Sequence, residues 1–387
     1  MATSGHELYI GILSGTSLDG LDLVLTAIDP EGTISHRAAM SWPLPDDLRS
    51  LCQTLCTPGH DELVRYGTAD RLFATVAAAG VQALLEQEQL QPEEIRAIGS
   101  HGQTVRHHPD KAPGFSLQLG CPHTLAASTG IDVVAQFRQK DIALGGEGAP
   151  LAPAFHQQVF TSSEHDRVVV NIGGIANVTY LPAAARSAPL GFDTGPGNTL
   201  LDYWIYRHHQ QHYDLHGHWA ASGRINHDLL NLLLNDPYFR RPAPKSTGRE
   251  YFTPQWLHRS LERFERLPPA DVQATLVELT VRTMIEGIQQ TFPDKVADKV
   301  ADNSTATPDI YVCGGGAHNR YLLERCALAL PAANWQTTAA LGIHPDWVEG
   351  ALFAWLAWSH VHKKAPDLRA VTGASRPSIL GAYYLSK

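Results

Sequence analysis

Several familiar signals are missing from this chain of 387 residues. It contains no Gly-x-x-x-x-Gly-Lys-Ser/Thr segment, which excludes a Walker-type phosphate loop. No apolar run approaches the roughly eighteen residues of a membrane-spanning helix, and no basic segment followed by an apolar core begins the chain. The formal net charge of -9, with no basic stretch to offset it, argues against general nucleic-acid binding.

Cysteine is also scarce, with five residues that form an odd set and have no metal-ligand spacing. This pattern favours a reducing compartment, and together with the missing leader it predicts a cytoplasmic protein. For the 20 histidines, surface or capping roles are favoured over a metal site, because no His-x-x-x-His pair is joined to a suitable Glu or Cys. The metal ligands therefore stay unknown. The length and the 43% content of hydrophobic residues predict a globular enzyme of two domains.

Two glycine-rich turns, each set between short apolar strands, are the most informative features present. The first lies within residues 8–25 and the second within residues 168–180, and both predict β-hairpins. Glycine at a hairpin tip leaves backbone N–H groups uncovered, so two such tips can grip a polyphosphate. Plain turn chemistry is the alternative for either hairpin alone. The hydroxyls and carboxylates of Thr16, Ser17, Asp19 and Asp22 favour phosphate and hydrated magnesium at the first tip.

The rest of the chain alternates between strand and helix patterns. A helix is predicted over 61–90, and strands over 95–100 and 132–137 end at His101 and Arg138, where α/β proteins place ligand contacts. Further helices are predicted from about Thr199, over 225–234 and over 271–292. A strand over 309–313 leads into three glycines, and a final long helix runs from Pro345 to Lys364.

Two polar segments between these elements have less definite interpretations. The loop with Lys245 and Arg249 is compatible with nucleotide contact, although a solvated loop is favoured. Residues 294–309 contain Lys-Val-Ala-Asp twice in tandem and predict a surface loop.

Six segments follow one another along the chain: 15–22, 100–104, 191–198, 244–250, 312–319 and 347–350. In this order they resemble the sugar kinase, Hsp70 and actin superfamily, and within it the anhydro-N-acetylmuramic acid kinase family. The resemblance covers essentially the whole chain, and the insert at 294–309 looks longer than the family needs.

The resemblance implies an α/β, two-domain, actin-like ATPase fold with duplicated ribonuclease H-like domains, mixed sheets flanked by helices and a nucleotide in the interdomain cleft. It implies domains at 1–137 with about 367–387, and at 138–366. It also implies ATP and Mg²⁺ as cofactors, an amino sugar as substrate and a homodimer. The expected activity opens the 1,6-anhydro ring and phosphorylates the sugar in peptidoglycan recycling.

The resemblance also assigns roles to individual residues. Asp193 is the expected catalytic base, because a carboxylate can take the proton of the water that attacks the anomeric carbon. His101, Arg138 and Glu349 are expected to orient the sugar. The expected nucleotide contacts are Gly15, Thr16, Ser17, Leu18, Asp19, Gly20, Leu21, Asp22, Gly173, Gly174, Gly195, Gly197, Asn198, Gly314, Gly315, Gly316 and Asn319.

Three other interpretations stay open from the residues. Asp193-Thr194-Gly195 is also the short signature of aspartic proteases, although that mechanism needs two carboxylates and the motif occurs once. A non-catalytic nucleotide or sugar sensor on the same fold is the second alternative. As a local alternative, Asp193 is a plain turn residue and Glu349 only favours a helix N-terminus.

Overall fold

The structure, a computed structural model, describes residues 5–15, 18, 20–109, 111–248, 251–291 and 309–387. Thr16, Ser17, Asp19 and Arg249 lie outside these ranges, as does the insert predicted at 294–309 except for its last residue. Within the described ranges, no helix is long and apolar enough to span a membrane. The chain divides into two compact units, which are Met1–Val159 with Trp347–Lys387, and Phe160–Asp346.

The first part of the chain alternates between strands and helices, as its sequence predicts. The first predicted hairpin is present, and the strand predicted over 132–137 is shorter than expected. The elements are β1 (Glu7–Leu13), β2 (Gly20–Ile28), β3 (Ile34–Pro43), α1 (Asp46–Leu55), α2 (Glu62–Glu88), β4 (Ile95–Ser100), β5 (Gln103–His108), β6 (Phe115–Leu119), α3 (Pro122–Thr129), β7 (Val133–Ala135), α4 (Gln139–Ala143) and α5 (Ala152–Phe160).

The remaining elements include the second predicted hairpin. They are β8 (Arg167–Ile172), β9 (Ile175–Leu181), β10 (Leu190–Pro196), α6 (Thr199–His209), α7 (His218–Ser222), α8 (His227–Leu234), α9 (Pro254–Leu261), α10 (Pro269–Thr291), β11 (Asp309–Cys313), α11 (Arg320–Ala329), β12 (Asn334–Thr337), α12 (Val348–Val361), α13 (Arg369–Thr372) and β13 (Ala382–Tyr384). The final long helix is α-helical from Val348 and not from Pro345, because residues Pro345–Trp347 form a tighter 3-10 turn; the Pro345 carbonyl also accepts the Gly314 N–H at 3.0 Å.

The first unit has a six-stranded mixed sheet in the order β13-β7-β4-β1-β2-β3. β1, β2 and β3 are antiparallel neighbours, whereas β4 is parallel to β1 and β7 is parallel to β4. Helix α12 packs on the centre of this sheet, and glycines permit its close approach. A Cβ atom at Gly11 would collide with the Gly350 carbonyl, and one at Gly99 would collide with the Phe353 carbonyl. Its tryptophans Trp355 and Trp358 are buried, in agreement with a packing role.

The second unit repeats this topology in a five-stranded sheet ordered β10-β9-β8-β11-β12. β8, β9 and β10 are antiparallel neighbours, β11 is parallel to β8, and β12 is parallel to β11. Helices α10 and α11 join the hydrophobic core of this unit. The two related mixed sheets, each flanked by helices, confirm the α/β fold class. In the second unit, β8, β10 and β11 point the same way, so their carboxyl ends share one edge of the sheet.

The unit boundaries differ from those that the sequence suggested. They fall at 159/160 and 346/347 rather than at 137/138 and about 366/367. One physical reason is helix α12, which completes the core of the first sheet. Another is buried Asp141, whose carboxylate accepts the Thr372 hydroxyl at 2.8 Å and so joins residues after 137 to the carboxyl-terminal segment.

A buried histidine in α5 predicts acid sensitivity of the fold. Burial lowers the pKa of His156 to about 3, against about 6.5 in an unfolded chain. Because only the unfolded state takes up a proton between these values, the free energy of unfolding falls as the pH drops from about 6.5 towards 3. We expect His156 to account for about 2–3 kcal/mol of lost stability at pH 4.5 relative to pH 7, measured by urea unfolding.

His156→Gln removes this titration while keeping a polar side chain of similar length. The variant should lose less stability than the unmodified chain between pH 7 and pH 4.5. His212→Gln, at an exposed position, is the control. An unchanged pH dependence in His156→Gln contradicts the assignment.

Candidate active site

The glycine-rich segments of the second unit converge at the carboxyl ends of its strands. The turn after β8 accepts hydrogen bonds from the turn after β10, with Gly197 N–H donating to Gly174 O at 2.9 Å and Asn198 N–H donating to Gly173 O at 2.8 Å. The turn after β11 meets the same place, because the Cβ position of Gly315 lies 3.7 Å from Asn198 Nδ2. Segments far apart in sequence therefore form one surface, which we call the glycine cradle: residues 173–174, 197–198 and 314–316.

The glycines of the cradle serve two different purposes. At Gly197, Gly314 and Gly316 an added Cβ atom would collide with the neighbouring chain, so these glycines allow the turns to pack together. At Gly173 the nearest atom to such a Cβ is the Ile175 carbonyl at 3.5 Å, and Gly315 is similarly open. The open positions leave backbone accessible to a phosphate or a flat ring, so the cradle fits part of a nucleotide.

Other predicted nucleotide contacts of this unit have structural partners. A Cβ atom at Gly195 would lie 2.8 Å from the Phe239 ring, which packs against that glycine. Asn319 caps α11 by accepting the Leu322 N–H at 3.0 Å. Packing against Phe239 explains the glycine at 195, and helix capping explains the asparagine at 319, without a ligand. The nucleotide contacts of both residues stay predictions.

The close packing at Gly314 leads to a stability prediction. Gly314 has φ +78°, and an added Cβ would collide with the side chain of Asn171 and lie 2.9 Å from the Ile172 carbonyl. Gly342 also has a positive φ, of +90°, but open space around it. We expect Gly314→Ala to lower the free energy of unfolding by about 1–3 kcal/mol more than Gly342→Ala, measured by urea unfolding. Equal losses in the two variants contradict the close packing of the cradle.

Asp193 lies in strand β10, not in a turn. The pairing of β10 with β9 shifts register between Asp193 and Gly195, which marks a bulge. Asp193 Oδ2 accepts the Ser246 hydroxyl at 3.1 Å and the Thr247 N–H at 3.0 Å. The half-buried carboxylate is thus held by the polar loop. Burial, reinforced by the charge of Asp193, raises the pKa of Tyr238. The sequence favoured a solvated loop around Lys245, and in the structure this loop contacts the predicted base Asp193.

In the first unit, the described part of the glycine-rich turn follows β1. Leu18 N–H donates to Gly15 O at 3.2 Å, and Leu18 has φ +58°. The side chains of Leu18 and Leu21 are buried, so only their backbones are available to a ligand. Gly20 sits against the Trp42 carbonyl, which lies 2.8 Å from its Cβ position, and Asp22 accepts the Ser41 hydroxyl at 2.7 Å.

Ser14, which the sequence analysis did not select, is notable at this turn. Its side chain is 3% exposed, and its hydroxyl has no hydrogen-bond partner in the part of the chain that the structure describes. A buried hydroxyl without a partner is costly in the absence of a ligand. The signal in the sequence was its position immediately before Gly15 at the end of an apolar strand.

The three residues predicted to orient the sugar lie together in the first unit. Arg138 donates from Nη2 to His101 Nε2 at 2.8 Å and from Nη1 to the Gly148 carbonyl at 2.8 Å. Burial lowers the pKa of Arg138 to about 10, while the negative charges of Glu349 and Asp141 oppose that shift. The guanidinium stays cationic at neutral pH. A cation fixed on one side by His101 and Gly148 can bind an anionic group of a ligand.

His101 has a defined and uncharged form. Because arginine only donates, Nε2 must accept, and the proton on Nδ1 donates to the Gly102 carbonyl at 2.9 Å. Burial, reinforced by the charge of Arg138, lowers the pKa of His101 well below its usual value. The ring packs against Phe353 with centroids 4.7 Å apart. His101 therefore holds Arg138 in place as an uncharged hydrogen-bond acceptor.

Asp141 supports the same arginine and was also not selected from the sequence. It is 1% exposed, and its carboxylate accepts the Gly148 N–H at 2.7 Å. The carbonyl of the same Gly148 accepts a hydrogen bond from Arg138. Gly146 lies so close to this carboxylate that a Cβ atom would collide with it. A glycine-rich stretch after a lone aspartate was the available signal.

Comparison with known proteins identifies the family. The family model described as anhydro-N-acetylmuramic acid kinase matches residues 7–386. The chain belongs to this family. It is 49% identical over 379 residues to the anhydro-N-acetylmuramic acid kinase of Shewanella pealeana, covering 98% of this chain and 99% of that one. With the corresponding kinase of Shewanella denitrificans it shares 48% identity over 387 residues, covering 99% and 100%.

Membership of a kinase family accounts for the resemblance seen in the sequence, and it leaves the aspartic protease and the non-catalytic sensor without support.

Among solved structures, the activator of the 2-hydroxyisocaproyl-CoA dehydratase from Clostridium difficile with bound ADPNP aligns with 93% of this chain and 96% of its own, at 12% identity and a TM-score of 0.41.

Proposed function

We propose that this chain is an ATP-dependent kinase that opens the 1,6-anhydro ring of 1,6-anhydro-N-acetylmuramic acid and phosphorylates O6. The products are N-acetylmuramic acid 6-phosphate and ADP, and the reaction belongs to peptidoglycan recycling. Membership of the family along the whole length of the chain is the observation that carries the proposal. The loop-bound carboxylate of Asp193 supports it, since this chemistry needs a base.

Asp193 is the proposed base for the ring-opening step. Its carboxylate takes a proton from water as the water oxygen bonds to C1 and the C1–O6 bond breaks. The electron pair of that bond passes to O6, which becomes the nucleophile for the γ-phosphoryl group. Water therefore supplies the new hydroxyl at C1, and ATP supplies the phosphoryl group at O6.

Arg138 is the proposed anchor for the lactyl carboxylate of the sugar. A guanidinium already fixed by His101 and the Gly148 carbonyl loses little freedom when it binds a planar anion. Glu349, on the first turn of α12, attracts the same guanidinium and is proposed to limit its movement and to contact the sugar.

We propose the glycine cradle of the second unit as a nucleotide contact and, separately, the turn that follows β1 in the first unit as a phosphate contact. Open backbone at Gly173 and Gly315 suits a phosphate or the adenosine, and the buried Ser14 hydroxyl suits a phosphate oxygen. ATP supplies the transferable phosphoryl group, and the chain aligns it and neutralises its charge. Thr16, Ser17 and Asp19 are proposed nucleotide contacts on the sequence alone, since they lie outside the described residues.

Mg²⁺ is the proposed metal, as in phosphoryl transfer generally. Within the described ranges, no group of three or more His, Cys, Asp or Glu residues is arranged to hold a metal ion. Magnesium does not require such a group, because it usually keeps several waters and binds one or two carboxylates together with substrate phosphates. Asp22, half-buried at the start of β2, is the described carboxylate nearest in sequence to the proposed turn.

We further propose a cytoplasmic homodimer that binds no nucleic acid. The support is the pattern of cysteines, the net charge of -9 and the family relationship. Light scattering on the purified chain gives the oligomeric state, and a monomer at micromolar concentration contradicts the dimer.

The activity is tested by incubating the chain with ATP, magnesium and 1,6-anhydro-N-acetylmuramic acid in ¹⁸O-labelled water. Mass spectrometry should show a sugar phosphate with one ¹⁸O at C1 and unlabelled oxygen at C6, together with ADP. Absence of a phosphorylated sugar overturns the function. A phosphorylated sugar without the label at C1 overturns the role of water.

A further inference from the structure

The polar loop between α8 and α9 contacts Asp193 at the edge of the sheet. Lys245 O accepts the Asp193 N–H at 3.0 Å, and the Tyr238 hydroxyl donates to the Asp193 carbonyl at 2.7 Å. The Ser246 hydroxyl and the Thr247 N–H both donate to the carboxylate, at 3.1 and 3.0 Å. We call Tyr238, Lys245, Ser246 and Thr247 the Asp193 bracket. It fixes both backbone polar groups of Asp193 and one oxygen of its side chain.

The position of Asp193 in the sheet explains why a bracket is needed. β10 is an edge strand, and its pairing with β9 shifts register just after Asp193. An edge residue beside a bulge has weaker constraints on its direction than a residue in a central strand. The hydrogen bonds from the loop replace those that a further strand would provide.

Lys245 closes the bracket without contacting the carboxylate in the described geometry. Its ammonium donates to the carbonyls of Tyr238 and Phe239, at 3.4 and 3.2 Å, and lies 4.8 Å from the centre of the Tyr238 ring. Burial lowers the pKa of this lysine, in agreement with an enclosed position. Tyr238 in turn holds the Asp193 carbonyl, so Asp193, Lys245 and Tyr238 form a closed ring of contacts.

We infer that the bracket positions Asp193 for catalysis, with Ser246 as the member whose side chain acts on the carboxylate. This inference rests on the proposed function and extends it to a residue with no predicted role. Two donors on one oxygen limit rotation of the carboxylate and favour its ionised form. Ser246 is a positioning residue, because it acts through Asp193.

The test compares Ser246→Ala, Ser246→Thr and the control Ser222→Ala. Ser222 is also exposed, and its hydroxyl donates to a local carbonyl, that of Trp219, at 2.7 Å. We expect Ser246→Ala to lower kcat about tenfold, as for loss of a hydrogen bond to a charged group, while KM for the sugar stays within about twofold. Ser246→Thr keeps the hydroxyl and should recover most of the rate. Ser222→Ala should match the unmodified chain.

A second readout does not depend on turnover. Carboxyl-labelled aspartate is followed by ¹³C NMR in the ligand-free chain, and Asp193→Asn identifies the resonance. Loss of the Ser246 donor should move the titration of this carboxyl to higher pH, by about half a unit to one unit, and the acidic limb of kcat should move with it.

The outcomes separate the inference from the proposed function. An unmodified chain that fails to phosphorylate the anhydro sugar overturns the function, and the inference with it. An active unmodified chain whose Ser246→Ala variant keeps its kcat overturns the inference alone. A loss of kcat with no shift in either titration also overturns it, because the serine then stabilises the loop and does not act on the carboxylate.

Discussion

Asp193→Asn should lose about 10²–10⁴-fold in kcat, the contribution typical of general base catalysis. The amide cannot take a proton from water, although it keeps the size of the carboxylate. Its oxygen can still accept from Ser246 and Thr247, as the carboxylate does at 3.1 and 3.0 Å. The variant should therefore fold and bind nucleotide with near-normal affinity. Initial rates with ATP and the anhydro sugar, together with calorimetric nucleotide binding, measure both effects.

Asp228→Asn provides the matched control, since Asp228 is exposed on the first turn of α8. Its rate should equal that of the unmodified chain. Near-normal turnover in Asp193→Asn would show that another group is the catalytic base. Loss of nucleotide binding together with turnover points instead to a disturbed fold of the second unit.

The two hairpins and several further strands were predictable from local pattern. Glycine-rich turns between short apolar strands predicted the two hairpins that are present, and helical spacing predicted α2 within two residues at each end. These signals succeed because a buried sheet and an amphipathic helix impose their periods on the sequence. The predicted start of α12 was wrong by three residues, since Pro345–Trp347 form a 3-10 turn before the α-helix begins.

The surroundings of Asp193 were not predictable in the same way. Asp-Thr-Gly-Pro-Gly has strong local turn chemistry, yet Asp193 lies in a strand whose edge is completed by a loop 54 residues later. The form of His101 depends likewise on Arg138, 37 residues away. Long-range hydrogen bonds of this kind leave no periodic trace in a sequence, which can name the residues but not their partners. The catalytic and binding roles themselves stay predictions.

Arg138→Met is the second variant with a large expected effect. Methionine has similar length and no donor, so the variant loses the charge and the fork that bind a carboxylate. We expect kcat/KM for 1,6-anhydro-N-acetylmuramic acid to fall about 10²–10³-fold, as when one member of an enclosed charge pair is removed. Arg138→Lys should be intermediate, because lysine keeps the charge but cannot replace the two donors, Nε at 3.2 Å and Nη2 at 2.8 Å, that Arg138 directs at His101 Nε2. Arg71→Met, on the exposed face of α2, is the control.

The same sugar without its lactyl ether distinguishes a contact with the carboxylate from a general effect on the site. With that sugar, Arg138→Met and the unmodified chain should differ by less than about tenfold, since no carboxylate is present to lose its partner. The unmodified chain should prefer the lactyl sugar, and the variant should lose that preference. If the variant loses the same factor on both sugars, Arg138 does not bind the lactyl group. Its contacts with His101 and Gly148 then serve to hold the segment that runs from α4 to Gly148.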